Sequence, residues 1–196
     1  MRNRGHITKE MVIDKTLSLF NIKGITDTSI SDIQDATGLT KGSLYFYFQS
    51  KDELAIEVLK RAGQEFNEFL ESTLKGKTPG RAVENFLKAL LKKHRDTGFV
   101  GGCIFGNTAL EMSDKHPDVV RVLKDIFNRW KKTLTMTLTE AQKTSEIRID
   151  ISSSELATII IEMIEGGIML SRLEKSERPL SLAIKAIRRL LELKKV

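Results

Sequence analysis

One cysteine, three prolines and three histidines are all that the 196-residue chain contains of those types, and each scarcity excludes something. A single thiol cannot close an internal disulfide, form a CxxC redox pair or build a thiolate zinc cluster, and it suits a reducing compartment. His6, His94 and His116 stand too far apart for an HExxH or His-x-x-x-His pair, so no metal site is expected. Glu162 and Glu165 lie at i, i+3 without a histidine partner, which leaves a di-iron bundle unsupported. No GxSxG, Walker A or GxGxxG element opens a helix after a strand, so no catalytic residue and no cofactor is expected. The few prolines, with 13 glycines, exclude collagen-like and proline-rich linker sequences. Long apolar runs are missing as well. The most apolar stretch, residues 156–170, is shorter than a bilayer requires and carries Glu162 and Glu165. The basic start, residues 1–4, leads into Lys9, Glu10, Asp14 and Lys15 rather than an apolar segment. A cytoplasmic location without membrane contact is therefore expected. No sign of charge dominates: the formal net charge is +6, and residues 1–61 hold nine Lys/Arg against eight Asp/Glu. Bulk charge does not argue for a nucleic-acid partner; placement must.

What the chain does contain is helical periodicity from end to end, with no convincing strand alternation and no internal repeat. An all-α fold is expected. Thr8 caps a first helix running to Phe20, in which Ile13, Leu17 and Phe20 share a face, and Gly24 ends it. Ser29 with Asp32 forms a capping box for a second helix, lined by Ile30, Ile33 and Ala36 and stopped by Gly38. Thr40 caps a short third helix, and Ser50 with Glu53 caps a fourth over residues 51–74. The stretch 75–80 reads as a loop. Five further helices follow. The fifth carries Val83, Phe86, Leu87, Leu90 and Leu91, and a short sixth covers 103–113. Pro117 opens the seventh, which carries Leu123, Phe127, Trp130 and Leu134. Ser152 with Glu155 caps the eighth over 153–174, and Pro179 opens the last.

The second and third helices, separated by Gly38-Leu39, form a helix-turn-helix pattern. The third is too short, and too polar at its start, for ordinary core. Its leading residues Thr40, Lys41, Gly42 and Ser43 suit a major groove. Lys41 can donate to guanine or phosphate and Ser43 can bond either partner. Gly42 costs a helix about 1 kcal/mol relative to Ala, and close approach of backbone to DNA is a reason to keep it. The only two tyrosines, Tyr45 and Tyr47, follow at once. With Leu44 and Phe48 turned inward, Tyr45, Phe46 and Tyr47 fall on other faces, where they suit sugar, thymine methyls and phosphate. The Thr28 hydroxyl and Lys51 are candidate phosphate donors on either side. Taken singly, Phe46 reads as core and Lys41 as solvated surface; the joint pattern favours DNA. An all-α bundle or enzyme that binds a small molecule, and not DNA, is the alternative that the residues leave open.

The series Ile13, Leu17, Phe20, Gly24, Thr28, Asp32-Ile33, then Gly38-Leu39-Thr40-Lys41-Gly42-Ser43-Leu44-Tyr45-Phe46-Tyr47-Phe48 and Ser50-Lys51-Asp52-Glu53-Leu54, resembles the DNA-binding domain of TetR-family transcriptional regulators. The resemblance covers the first quarter of the chain. It implies an N-terminal three-helix DNA-binding head, residues 1–50, and a C-terminal ligand-binding and dimerising body, residues 51–196, with 51–74 as the linking helix. It implies an all-helical homodimer, and with the separate apolar body the motif leads us to expect a repressor on an inverted-repeat operator in double-stranded DNA, released by a small apolar effector. By the same resemblance Thr28, Thr40, Lys41, Gly42, Ser43, Tyr45, Tyr47 and Lys51 stand where the family touches DNA. Two residues depart from the pattern: Tyr47 replaces the usual His, and Gln34 replaces a small residue facing the recognition helix.

In the body, the eighth helix is apolar nearly all round, which suits one face toward its own domain and one toward a second subunit. An apolar effector pocket is expected from Phe86, Leu90, Cys103, Trp130 and Met163, with Asn107 fixing a polar group. Asn107 and Glu111 share a helix face at i, i+4, and either can instead satisfy backbone or cap a neighbouring helix. The segment Gly102-Cys103-x-x-Gly106-Asn107 resembles that of a subset of the same family. The basic run Lys185, Arg188, Arg189, Lys194, Lys195 reads as a solvated helix face.

Overall fold

The computed structural model describes residues 2–193, with side chains from Lys9 onward, and contains helices and no strand among them. They are α1 (Arg2–Lys23), α2 (Ile30–Thr37), α3 (Lys41–Tyr47), α4 (Lys51–Thr73), α5 (Pro79–Asp96), α6 (Ile104–Met112), α7 (Pro117–Lys143), α8 (Ser153–Glu174) and α9 (Arg178–Leu191). The expected start of the first helix is corrected: α1 opens at Arg2, so Thr8 is an interior residue and not its cap. Only Gly5 weakens the preceding stretch, and one glycine lowers helix stability without ending a helix.

Contacts divide the chain into two compact units. One takes in residues up to Glu65 together with Ile104–Asp125; the other takes in Phe66–Cys103 and residues from Ile126 onward. This differs from a cut near residue 50. The first stretch of α4, all of α6 and the start of α7 belong with the N-terminal helices. Part of the reason is on α6, where Glu111 accepts the Ile25 and Thr26 N–H groups.

In the first unit, Val12, Ile13 and Phe20 of α1 are buried, with Ile25, Ile33 of α2, Leu44 of α3, Phe48, and Leu54, Val58 and Leu59 of α4. The second unit has one continuous core. Phe86, Leu87 and Leu90 of α5, Trp130, Leu134 and Leu138 of α7, Ile160 and Ile164 of α8, and Leu180, Ile184 and Ile187 of α9 lie in it. Helices α8 and α9 pack closely because Gly167 has no side chain. A Cβ there would sit 2.9 Å from Ala183 Cβ and 3.2 Å from Leu180 Cα. The buried Ser171 hydroxyl accepts the Leu180 N–H at 3.0 Å and ties the start of α9 to α8. One face of α8 carries the buried residues Leu156, Ile160, Ile164 and Ile168, while Met169, Leu170 and Leu173 are exposed.

The basic run on α9 does not behave as one solvated face. Lys185 and Arg189 are exposed. Arg188 instead grips Glu84 of α5 through two 2.8 Å bonds. Burial pushes the Glu84 carboxyl up, and the Arg188 bonds more than reverse this, holding it below its ordinary value. Lys194 and Lys195 lie outside the described residues.

Two outcomes follow for stability. Gly167→Ala forces α8 and α9 apart and lowers unfolding free energy by about 1–3 kcal/mol, measured by urea titration. His94 of α5 is buried, and that burial, with Lys93 beside it, lowers its pKa from 6.5 to about 4. Its imidazole is neutral in the fold, whereas the unfolded chain takes up a proton below pH 6.5. Stability therefore falls as pH drops from 6.5 and levels off below about 4, by on the order of 2–3 kcal/mol. His94→Leu flattens this slope in titrations at pH 7 and 4.5.

Candidate nucleic-acid interface

The brace helix α2 begins with a complete capping box. The Asp32 N–H donates to Ser29 Oγ at 3.1 Å and the Ser29 N–H donates to Asp32 Oδ2 at 2.8 Å. Lys23 donates to the other Asp32 oxygen at 2.6 Å. That bond, with those from Ser29, holds the Asp32 carboxyl far below the usual carboxylate range. The helix ends at Gly38, whose φ of +74° is a left-handed conformation that costs other residues more. Its N–H closes the last turn on the Gln34 carbonyl at 2.7 Å. The Gln34 amide reaches across the turn toward the Leu39 carbonyl at 3.4 Å, so the bulkier residue at this position is accommodated beside the turn.

Thr40 caps α3: its Oγ accepts the Ser43 N–H at 3.2 Å and lies 2.9 Å from the Ser43 hydroxyl. Leu44 is buried within α3 and Phe48 is buried just after it. Burial of those two turns the rest of the helix outward. Thr40, Lys41 and Gly42 are exposed, Ser43 is half-buried, and Tyr45 is 42% exposed. The Lys41 ammonium lies 5.9 Å from the centre of the Tyr45 ring, within cation–π range. Tyr47 is half-buried and meets the Phe46 ring edge-on at 5.2 Å between centroids. A Cβ built on Gly42 meets nothing within 4 Å, so the fold itself has no need of glycine there.

Two expected phosphate donors have partners within the protein. Thr28 is fully buried and its hydroxyl donates to the Gly24 carbonyl at 2.6 Å. Lys51 donates to the carbonyls of Ile25, Thr26 and Thr28 at 2.9, 3.1 and 3.0 Å. Both side chains hold the loop ahead of α2 and do not project from the surface. Phe46 is 82% exposed, as its spacing from the inward Leu44 and Phe48 expects, and is not the core residue that its type taken singly suggests.

The expected effector residues divide between the units. Phe86, Leu90 and Trp130 are buried in the second unit, with Cys103 and Met163 packed against that core. Asn107 lies on α6, in the first unit. Trp130 is 1% exposed between the rings of Phe66, at 4.9 Å, and Phe127, at 6.0 Å, and its indole N–H is buried without a hydrogen-bond partner. The second unit holds a further buried polar group on α8. Glu165 Oε1 is buried and unpartnered. Burial raises the Glu165 pKa, and a hydrogen bond with Cys103 partly offsets the rise. No group of three or more His, Cys, Asp or Glu among the described residues could hold a metal ion. No helix among them is long and apolar enough to cross a membrane.

Comparison with known proteins decides the family. Residues 12–58 match the bacterial regulatory proteins of the tetR family, and residues 79–187 match the tetracyclin repressor-like C-terminal domain. The chain is a TetR-family transcriptional regulator with a DNA-binding helix-turn-helix. The TetR assignment also removes the alternative of an enzyme, since TetR regulators are not enzymes. Among its relatives is the HTH-type transcriptional repressor DhaR of Mycobacterium sp. (strain GP1), 30% identical over 88% of this chain and 86% of that protein. Another is the HTH-type transcriptional regulator LmrA of Bacillus subtilis (strain 168), 28% identical over 88% of this chain and 90% of that protein. A TetR transcriptional regulator from Chloroflexus aurantiacus J-10-FL has a similar solved structure: TM-score 0.88, 32% identity, 98% of this chain and 97% of that one.

The cap and the glycine have opposite effects on the TetR head. Thr40→Ala removes a cap and lowers stability by about 1 kcal/mol. Gly42→Ala fills open space on a helix and raises stability by up to about 1 kcal/mol. Thermal unfolding of the two variants beside the wild type measures both signs.

Proposed function

We propose that this regulator is a homodimeric repressor that leaves its operator when a small, largely apolar effector binds. The observation that carries the reading is the outward leading end of α3: exposed Thr40, Lys41 and Gly42, open space in front of Gly42, and Tyr45 beside Lys41. The Lys41 ammonium and the Thr40 and Ser43 hydroxyls supply donors for base edges and phosphate, with Tyr45 and Tyr47 flanking them. Gly42 admits close approach of the DNA backbone. Thr28 and Lys51 act here by donating to loop carbonyls and not to phosphate.

Two copies are needed because one seven-residue recognition helix covers one half-site. The exposed Met169, Leu170 and Leu173 of α8 and Leu182 of α9 supply an apolar face for the second copy. The effector reading rests on the aromatic core around Phe86, Leu90, Trp130 and Met163 with Cys103. The unpartnered Trp130 N–H and Glu165 Oε1 offer one donor and one acceptor to a bound molecule. Asn107, on α6 of the first unit, is left out of this pocket. Release requires that the effector bind the two arrangements of the dimer with unequal affinity.

A mobility-shift titration against inverted-repeat duplexes tests the proposal. The expected result is a sequence-selective shift that weakens steeply with salt. Lys41→Ala with Tyr45→Ala lowers affinity at least a hundredfold, while sedimentation still reports a dimer. Retained binding by that variant would place recognition outside α3.

A further inference from the structure

The loop between α1 and α2 contains main-chain groups that neither helix pairs. Its carbonyls at Ile25, Thr26 and Thr28 are met by Lys51 of α4. Its N–H groups are met by a residue far along the chain. The Ile25 N–H donates to Glu111 Oε2 at 3.1 Å, and the Thr26 N–H donates to Glu111 Oε1. Each carboxylate oxygen takes one N–H, so α6 holds two consecutive amides with a single side chain. Gly24 completes the seat. Its φ is +89°, and a Cβ there would stand 3.2 Å from both Glu111 oxygens.

We propose that Glu111 is a positioning residue for operator recognition. Its carboxylate fixes the loop from which α2 starts, and α2 braces α3. The inference rests on the DNA-binding reading above. The partners of Glu111 argue for a specific seat rather than surface charge pairing, because its two oxygens accept the consecutive backbone amides of Ile25 and Thr26. The loop passes its geometry on within a few residues: Ile25 is buried, the Thr28 hydroxyl bonds back to the Gly24 carbonyl, and Ser29 caps α2. The seat is also sensitive to α6. The Ile25 bond is 3.1 Å long, and an N–H···O contact has little strength left beyond about 3.5 Å. A displacement of α6 by about half an ångström away from the loop is enough to weaken it. The same residue thus gives α6 a direct hold on the brace helix.

The test begins with the full-length wild type enriching duplexes from a random-sequence double-stranded DNA pool. Affinity for the best duplex is then measured for wild type, Glu111→Ala and Glu111→Gln. Glu111→Ala is expected to bind at least tenfold more weakly. Glu111→Gln falls between the two, because its amide retains one acceptor oxygen. Amide exchange separates positioning from general destabilisation. The Ile25 and Thr26 amides exchange faster in both variants, while amides in the α8–α9 core and the thermal midpoint stay at wild-type values. Binding by Glu111→Ala within twofold of wild type overturns the proposal, and so does a loss of affinity that only follows a lowered thermal midpoint. Should Glu111→Ala fail to fold, Glu111→Gln decides: wild-type affinity with protected Ile25 and Thr26 amides overturns the proposal. A wild type that enriches no duplex defeats the DNA-binding reading, and the positioning role falls with it. A wild type that binds while both variants match its affinity defeats the positioning role alone.

Discussion

Buried or half-buried main-chain groups must find partners, and the loop from Gly24 to Ser29 cannot pair its own. Three side chains from outside α2 satisfy it or its flanks. Lys51 takes three carbonyls, Glu111 takes two amides, and Lys23 takes the Asp32 carboxylate that caps α2. Within the loop, the Thr28 hydroxyl takes the Gly24 carbonyl. These contacts come from α1, α4 and α6, so the first unit is held around an irregular segment as much as around its apolar core. The exposed recognition surface of α3 inherits its placement from that segment through α2 and the left-handed turn at Gly38.

What could be read from sequence follows the range of each interaction. Ser29 with Asp32, Thr40 with Ser43, Ser50 with Glu53 and Ser152 with Glu155 are all three residues apart, and each cap is present. The all-α fold and the outward face of α3 follow from equally local patterns, the i, i+4 burial of Leu44 and Phe48 among them. The loop partners of Lys51 lie 23 to 26 residues away, beyond the range of any local pattern. The inward turn of the Thr28 hydroxyl is hidden for a simpler reason: a threonine at a helix entrance gives no sign of whether its hydroxyl turns in or out. The place of α6 beside the N-terminal helices depends on contacts across 85 and 86 residues, which no periodicity encodes.

The second unit obeys a different constraint. Its core is apolar and its helices close-packed, to the point that α8 has no room for a methyl at Gly167. Against that background the unpartnered Trp130 N–H and Glu165 Oε1 are costly, at about 1–3 kcal/mol each. Natural sequences tend to keep such local conflicts where function needs them. In the first unit the loop ahead of α2 has its polar groups paired, while Thr16 Oγ1 and Asn21 Oδ1 of α1 are buried without a partner.

The distribution of chromophores gives the molecule a built-in optical division. Its only tryptophan is Trp130, in the second unit, and its only tyrosines are Tyr45 and Tyr47, on α3 of the first. Indole emission therefore reports the aromatic core between Phe66 and Phe127, whereas phenol absorbance reports the surface of the recognition helix. Changes in either half can be followed separately in the unlabelled protein, with no engineered dye and no substitution.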